Sequence, residues 1–71
     1  MKLAKASITV NGRKELICLP YTVTQVLDRA GLKSTQVVVE QNGIVLPRTL
    51  LSQTFLNEGD RLEVIVAVAG G

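Results

Sequence analysis

The chain has 71 residues, a net charge of +2, one cysteine and no histidine. This length allows one domain with one modest core, and the composition excludes an intramolecular disulfide, a cysteine-based zinc site and a histidine general base. The small, dispersed charge argues against nucleic-acid binding. Because there is no signal peptide and no apolar run long enough to cross a membrane, we expect a cytoplasmic protein without metal or membrane contact, or an organellar one only if a transit segment has been removed.

The first predicted element is a β-hairpin. Residues 3–10 contain a strand-like alternation, and Asn11-Gly12 is the strongest short-range signal for a tight hairpin turn. Residues 13–19 form the predicted return strand, which Pro20 ends because proline cannot donate to a strand ladder. Cys18 lies in an apolar stretch of that strand, so we expect it to be a small buried side chain without a catalytic role.

A helix follows, with start and stop signals at both ends. Thr22 and Gln25 have the spacing of a capping box at the N-terminus. Gly31, followed by the apolar Leu32, fits the left-handed position after the C-terminus. Four residues at helical spacing form one apolar stripe that we expect to be buried: Val23, Val26, Leu27 and Ala30.

A second, shorter hairpin is predicted after the helix. Residues 37–39 are three consecutive valines, which favour a strand. Asn42-Gly43 predicts another tight turn into a short strand at residues 44–46, which Pro47 ends.

Residues 48–57 are predicted to be irregular, with one helical turn near residues 49–52. We expect four of their side chains to close one end of the core: Leu50, Leu51, Phe55 and Leu56. Residues 58–60 (EGD) are predicted to form a turn before the last strand.

The last strand, residues 61–68, has two different faces. Its core face is predicted to hold Leu62, Val64, Val66 and Val68. The opposite face begins with charges and then carries Ile65 and Ala67, which are candidates for a partner-docking surface. An equally open alternative is that this strand lies at the centre of the sheet and is covered on both faces.

The element order predicts an α+β fold in which one helix packs across a mixed sheet of four to five strands. The first and last strands must join the same sheet. We assign residues 1–68 to this domain and residues 69–71 to a flexible C-terminal tail.

The chain ends in Ala69-Gly70-Gly71. Two glycines have no side chains and an unrestricted backbone, so the terminal carboxylate can enter a narrow enzyme channel. This ending is typical of a chain whose chemistry takes place at its own carboxylate.

Three stretches resemble the ThiS family, the ubiquitin-like sulfur carrier proteins of thiazole (thiamine) biosynthesis: residues 42–48 (NGIVLPR), 56–64 (LNEGDRLEV) and 68–71 (VAGG). The resemblance implies a ubiquitin-like β-grasp fold, which agrees with the predicted element order. It also implies that the chain is a carrier and not an enzyme, with no catalytic residues of its own.

The resemblance further implies the chemistry and the partners. A ThiF-type adenylating enzyme would activate the Gly71 carboxylate with ATP after recognising the tail at Ala69 and Gly70. A cysteine desulfurase or other persulfide donor would supply sulfur indirectly, leaving a thiocarboxylate on Gly71. A ThiG-type thiazole synthase would accept that sulfur. No cofactor is expected to bind the chain itself, because the ATP belongs to the activating enzyme.

Three other interpretations stay open. A sulfur carrier for cysteine synthesis or tRNA thiolation would share both the fold and the tail. A MoaD-like carrier would donate sulfur to molybdopterin by the same terminal chemistry, although such carriers often have prolines shortly before the glycines and this tail has none. A β-grasp interaction module without terminal modification would share the fold but not the chemistry.

Overall fold

A computed structural model describes residues 4–67. One α-helix and five strands make up its main elements: β1 (Ala4–Val10), β2 (Arg13–Leu19), α1 (Val23–Arg29), β3 (Val37–Gln41), β4 (Ile44–Val45) and β5 (Arg61–Val66). Two 3₁₀ helices, Ser34–Gln36 and Arg48–Gln53, lie between them. The predicted strand residues Leu3 and Val68 lie outside the described residues.

The strands form one mixed sheet in the order β2-β1-β5-β3-β4. β1 and β5 run parallel, with Thr9 opposite Arg61 and Val10 opposite Leu62, whereas the other neighbouring pairs are antiparallel. The first and last strands therefore do meet, and β5 lies at the centre of the sheet. This arrangement confirms the predicted α+β architecture.

Both Asn-Gly turns are confirmed as tight hairpin turns. The φ angles are +50° and +80° at Asn11 and Gly12, and +53° and +85° at Asn42 and Gly43. Two successive positive φ angles are the signature of a type I′ turn, whose twist matches that of the strands it joins.

The helix has the predicted caps. Thr22 Oγ1 accepts a hydrogen bond from Gln25 N at 3.2 Å, and Gln25 Oε1 accepts one from Thr22 N at 2.8 Å. At the other end Gly31 has a φ of +72°, and Leu32 N donates to Leu27 O at 2.9 Å, which completes a Schellman motif.

The core lies between the helix and one face of the sheet. Its buried apolar residues are Ala6, Ile8, Ile17, Val23, Val26, Leu27, Val37, Val39, Leu51, Leu56 and Leu62. The prediction was wrong for Ala30, which caps the helix and is exposed. It was also wrong for Val66, which is 60% exposed. Because β1 ends level with Leu62, the later residues of β5 have a strand neighbour only in β3.

The predicted closure of the core by residues 48–57 is half right. Leu51 and Leu56 are buried, but Leu50 and Phe55 are exposed. The segment that follows the 3₁₀ helix pairs with the chain before α1, since Val23 N donates to Thr54 O at 3.0 Å and Leu56 N donates to Tyr21 O at 2.9 Å. Extended backbone alternates its side chains, so burial of Leu56 turns Phe55 outward.

Cys18 is exposed, contrary to the prediction of a buried side chain. Its neighbour Ile17 points into the core, and the two-residue period of the strand places Cys18 on the opposite face, across from Lys5. We therefore assign Cys18 to the sheet face that the helix does not cover.

Candidate functional site

The site predicted from the sequence is the chain terminus together with the surface that leads to it. Ala67 is the last described residue, and its backbone N–H donates to Gln36 O at 2.9 Å. The predicted modified residue Gly71 and the predicted recognition residues Gly70 and Ala69 lie outside the described residues. From Ala67 onward four residues follow in the sequence, and they span at most about 13–14 Å.

The strand that leads to the terminus is held from both sides. On one side, β5 pairs with β3 from Gln41↔Leu62 to Val37↔Val66. On the other side, the side chain of Asn11 binds the backbone of Val64: Oδ1 accepts from Val64 N at 2.7 Å, and Nδ2 donates to Val64 O at 3.1 Å. Tertiary contacts thus fix β5 on one side as far as Val66 and on the other side as far as Val64.

An apolar pair lies beside this exit on the sheet face opposite the helix. Ile65 is 51% exposed and stands directly across from Val38, which is 36% exposed. Ala67, two residues further along, is also exposed. The predicted docking residues Ile65 and Ala67 are therefore accessible, and we call Ile65, Val38 and Ala67 the exit patch.

An acidic pair adjoins the exit patch. Glu40 and Glu63 stand directly opposite each other on β3 and β5, on the same face as Ile65. Like charges in opposite positions destabilise a sheet, because their repulsion is not compensated within the pair. On the sheet face opposite the helix, the apolar pair Ile65 and Val38 therefore lies next to an acidic row formed by Glu63 and Glu40.

Sequence reasoning missed Val38 and Glu40. Both belong to a short valine-rich strand whose two faces look alike in the sequence, and only the register with β5 places them beside Ile65 and Glu63. No signal in the sequence could have found them, because three consecutive valines show no alternation, and only the folded strand buries Val37 and Val39 while exposing Val38.

A groove of about 270 Å³ lies away from the exit patch, between α1 and the first hairpin, and is lined by Val10, Glu15, Val26, Arg29 and Ala30.

Within residues 4–67, no group of three His, Cys, Asp or Glu side chains is arranged to hold a metal ion. In the same range no helix is long and apolar enough to cross a membrane.

Comparison with known proteins assigns the family. A family model described as the ThiS family matches residues 2–71. The chain belongs to the ThiS family. The match extends through the two terminal glycines, and the recognition made from the sequence is confirmed.

Solved ThiS structures have the same fold. The crystal structure of the thiamine biosynthesis protein ThiS from Geobacter metallireducens superposes with a TM-score of 0.76 at 31% identity, covering 92% of this chain and 99% of that one. The N-terminal ubiquitin-like domain of the 4931431F19Rik protein superposes with a TM-score of 0.57 at 17% identity, covering 97% and 79% of the two chains, and so shows the fold alone. These neighbours confirm the ubiquitin-like β-grasp fold.

Two proteins similar in sequence to this ThiS-family chain differ in size. The ycf40 protein of Pyropia yezoensis is 42% identical over 65 residues, which are 92% of each chain. The thiazole synthase of Paramagnetospirillum magneticum is 31% identical over 64 residues, which are 90% of this chain but 20% of that synthase. A stretch similar to this chain therefore forms part of a larger thiazole synthase.

Proposed function

We propose that this chain is a sulfur carrier for thiazole formation in thiamine biosynthesis and that Gly71 carries the sulfur. The single observation that supports this most strongly is the family match over residues 2–71, which includes both terminal glycines. The thiazole synthase with a similar stretch supports the same pathway, because a carrier joined to its acceptor would deliver sulfur within one molecule.

The chemistry begins with activation of the terminus. A carboxylate is a poor acyl donor because its leaving group would be oxide. A ThiF-type enzyme joins the Gly71 carboxylate to the α-phosphate of ATP and releases pyrophosphate, which converts the leaving group into AMP. The carrier contributes only its terminus, and the activating enzyme holds the ATP.

Sulfur then replaces AMP. The terminal sulfur of a persulfide, formed by a cysteine desulfurase or another donor, attacks the Gly71 carbonyl, and AMP leaves with the electrons of the C–O bond. A thiol cleaves the resulting acyl disulfide at its S–S bond and leaves a thiocarboxylate on Gly71. That sulfur is nucleophilic at neutral pH and passes to a ThiG-type thiazole synthase.

The exit patch is the proposed docking surface for the activating enzyme. Since no more than about 14 Å of chain follows Ala67, the domain itself has to approach the adenylation site closely. Ile65 and Val38 offer apolar area, whereas Glu40 and Glu63 favour a partner with a basic rim. A cationic partner would also relieve the repulsion between the two carboxylates.

Fragmentation mass spectrometry tests the modification directly. The chain is produced together with its ThiF-type enzyme and a persulfide source, and the terminal fragment is compared with that of a variant lacking Gly70 and Gly71. Exchange of oxygen for sulfur adds about the same mass as oxidation of Met1 or Cys18, so the mass gain must be located on Gly71 itself. Sulfur on Gly71 of the natural chain is the expected result.

An unmodified terminus, with ATP, enzyme and sulfur source all present, would contradict the proposal and favour an interaction module. The acceptor is tested separately, by supplying the thiocarboxylate form to a thiazole synthase and to a molybdopterin synthase. Transfer to the thiazole synthase alone is the expected result, and transfer to molybdopterin alone would favour the MoaD-like alternative. The cytoplasmic location stays a prediction.

A further inference from the structure

Both Asn-Gly turns bind strand β5 through the asparagine side chain. Asn42 Oδ1 accepts from Arg61 N at 2.9 Å, and Asn42 Nδ2 donates to Asp60 Oδ1 at 3.0 Å, so this turn fixes the start of β5. Asn11 binds both backbone groups of Val64, three residues further along. The two turns thus hold the same strand at different points.

The Asn11 side chain replaces a missing strand. Regular pairing between β1 and β5 covers only Thr9↔Arg61 and Val10↔Leu62, and Asn11 N adds one bond to Leu62 O at 2.9 Å. There β1 turns away into its hairpin. A side-chain amide carries the same donor and acceptor as a peptide group, and Asn11 presents them to Val64 as the next residue of a longer strand would.

The turn does not itself require this side chain. A φ of +50° at Asn11 is suitable for glycine as well as for asparagine, since glycine has no Cβ to obstruct positive φ. The contact with Val64 is therefore a separate property of Asn11 that can be removed while the turn is kept.

We propose that Asn11 is a positioning residue for the reaction at Gly71, because its amide fixes β5 at Val64 and thereby sets the point and direction from which the terminus leaves the domain. This inference rests on the proposed function. Without the amide, β5 beyond Leu62 is held by β3 and by the Ala67–Gln36 bond, all on one side. Misplacement of about 1 Å at a reacting group can lower a rate about a hundred-fold.

Asn11→Gly and Asn42→Gly form a matched pair for the test. Each replaces the same residue at the same position of the same turn type. Asn42→Gly removes bonds to Arg61 and Asp60, so it is expected to destabilise the fold at least as much as Asn11→Gly does. The two variants and the natural chain are then compared as substrates of the ThiF-type enzyme by ATP–pyrophosphate exchange, below the unfolding temperature of all three.

The expected result is a split between kcat and KM. Asn11→Gly should lower kcat about tenfold or more while KM for the carrier changes less than about twofold, because the exit patch still docks and only the carboxylate is misplaced. Asn42→Gly should keep kcat within about twofold of the natural value. Amide exchange at Val64 should be at least about tenfold faster in Asn11→Gly than in Asn42→Gly, because only the first variant removes the hydrogen bond to Val64 itself.

Three outcomes would overturn the inference. An unchanged kcat in Asn11→Gly would show that the amide does not position the terminus. An equal loss in Asn42→Gly would assign the effect to stability alone. Absence of ATP–pyrophosphate exchange with the natural chain would refute the proposed function and, with it, the role of Asn11. The first two results would refute the role of Asn11 and leave the proposed function standing.

Discussion

Asn42 and Asp60 are joined across the second hairpin and the start of β5, with Asn42 Nδ2 donating to Asp60 Oδ1 at 3.0 Å. Asp60 is buried, and its other carboxylate oxygen accepts from Gln41 Nε2 at 3.0 Å and from Asn57 N at 2.8 Å. A buried carboxylate is stable only when its oxygens are hydrogen-bonded. The three donors meet this requirement. They connect the second hairpin (Gln41 and Asn42) and the loop before β5 (Asn57) to the start of β5.

We predict that Asp60→Ala lowers the free energy of unfolding by about 2–3 kcal/mol. The substitution removes the acceptor from three partly buried donors. Urea unfolding followed by circular dichroism measures the change. Glu63→Gln is the control. It replaces an exposed carboxylate on β5 and should change stability by less than about 0.5 kcal/mol. Equal effects in the two variants would show that the Asp60 network does not stabilise the fold.

The capping box of α1 should be energetically coupled. Thr22→Ala removes the acceptor of Gln25 N and should cost about 1 kcal/mol of unfolding free energy. Gln25→Ala removes the reciprocal bond to Thr22 N. The double variant should lose less than the sum of the single losses, by about 0.5 kcal/mol or more. Strict additivity in urea unfolding would mean that the two bonds form independently.

Ile65→Glu should impair docking without unfolding the domain. Ile65 is half exposed, so stability should change by less than about 1 kcal/mol, while KM for the carrier in the adenylation reaction should rise about tenfold. Leu16→Glu is the control, since Leu16 is exposed on the same face. From the strand pairing, Leu16 lies about 20 Å from Ile65 along the strand direction. An equal rise in KM for both variants would contradict a localised exit patch.

Glu63→Lys should change stability and docking in opposite directions. Lysine opposite Glu40 replaces a repulsive pair by an attractive one and should stabilise the sheet by about 0.2–1 kcal/mol. Loss of one acidic side chain of this pair should nevertheless raise KM for the carrier in the adenylation reaction. It should also make that KM less dependent on salt concentration. The measurements are urea unfolding and KM at two ionic strengths. Asp28→Lys makes the same charge change on the exposed surface of α1 and should leave KM nearly unchanged.

Local features were predictable because their signals lie within a few residues of one another. The capping box at Thr22 and Gln25, the left-handed Gly31 and both Asn-Gly turns were located from the sequence and are present. Each depends on backbone conformation and on short-range hydrogen bonds, which the residue types themselves favour. The predicted terminal residues Ala69, Gly70 and Gly71 were likewise identified from the sequence and await the chemical test.

Burial at the margins of the fold was less predictable. Cys18 and Phe55 are apolar enough for a core, yet the strand period turns both outward. Val66 lies on the same face of β5 as Leu62, but β1 ends beside Leu62 and does not pair with β5 at Val66. Periodicity states which residues share a face and does not state how far the neighbouring elements extend.

The sequence by itself determined the family, the element order and the turns, because these depend on local residue patterns. The chemistry at Gly71 stays a prediction. Only the tertiary structure decided that Val38 stands across from Ile65, that Glu40 faces Glu63, and that Asn11 holds Val64. Asn11 and Val64 are 53 residues apart in the chain. Such a contact depends on the parallel pairing of β1 with β5, and that register is set by packing of the whole core.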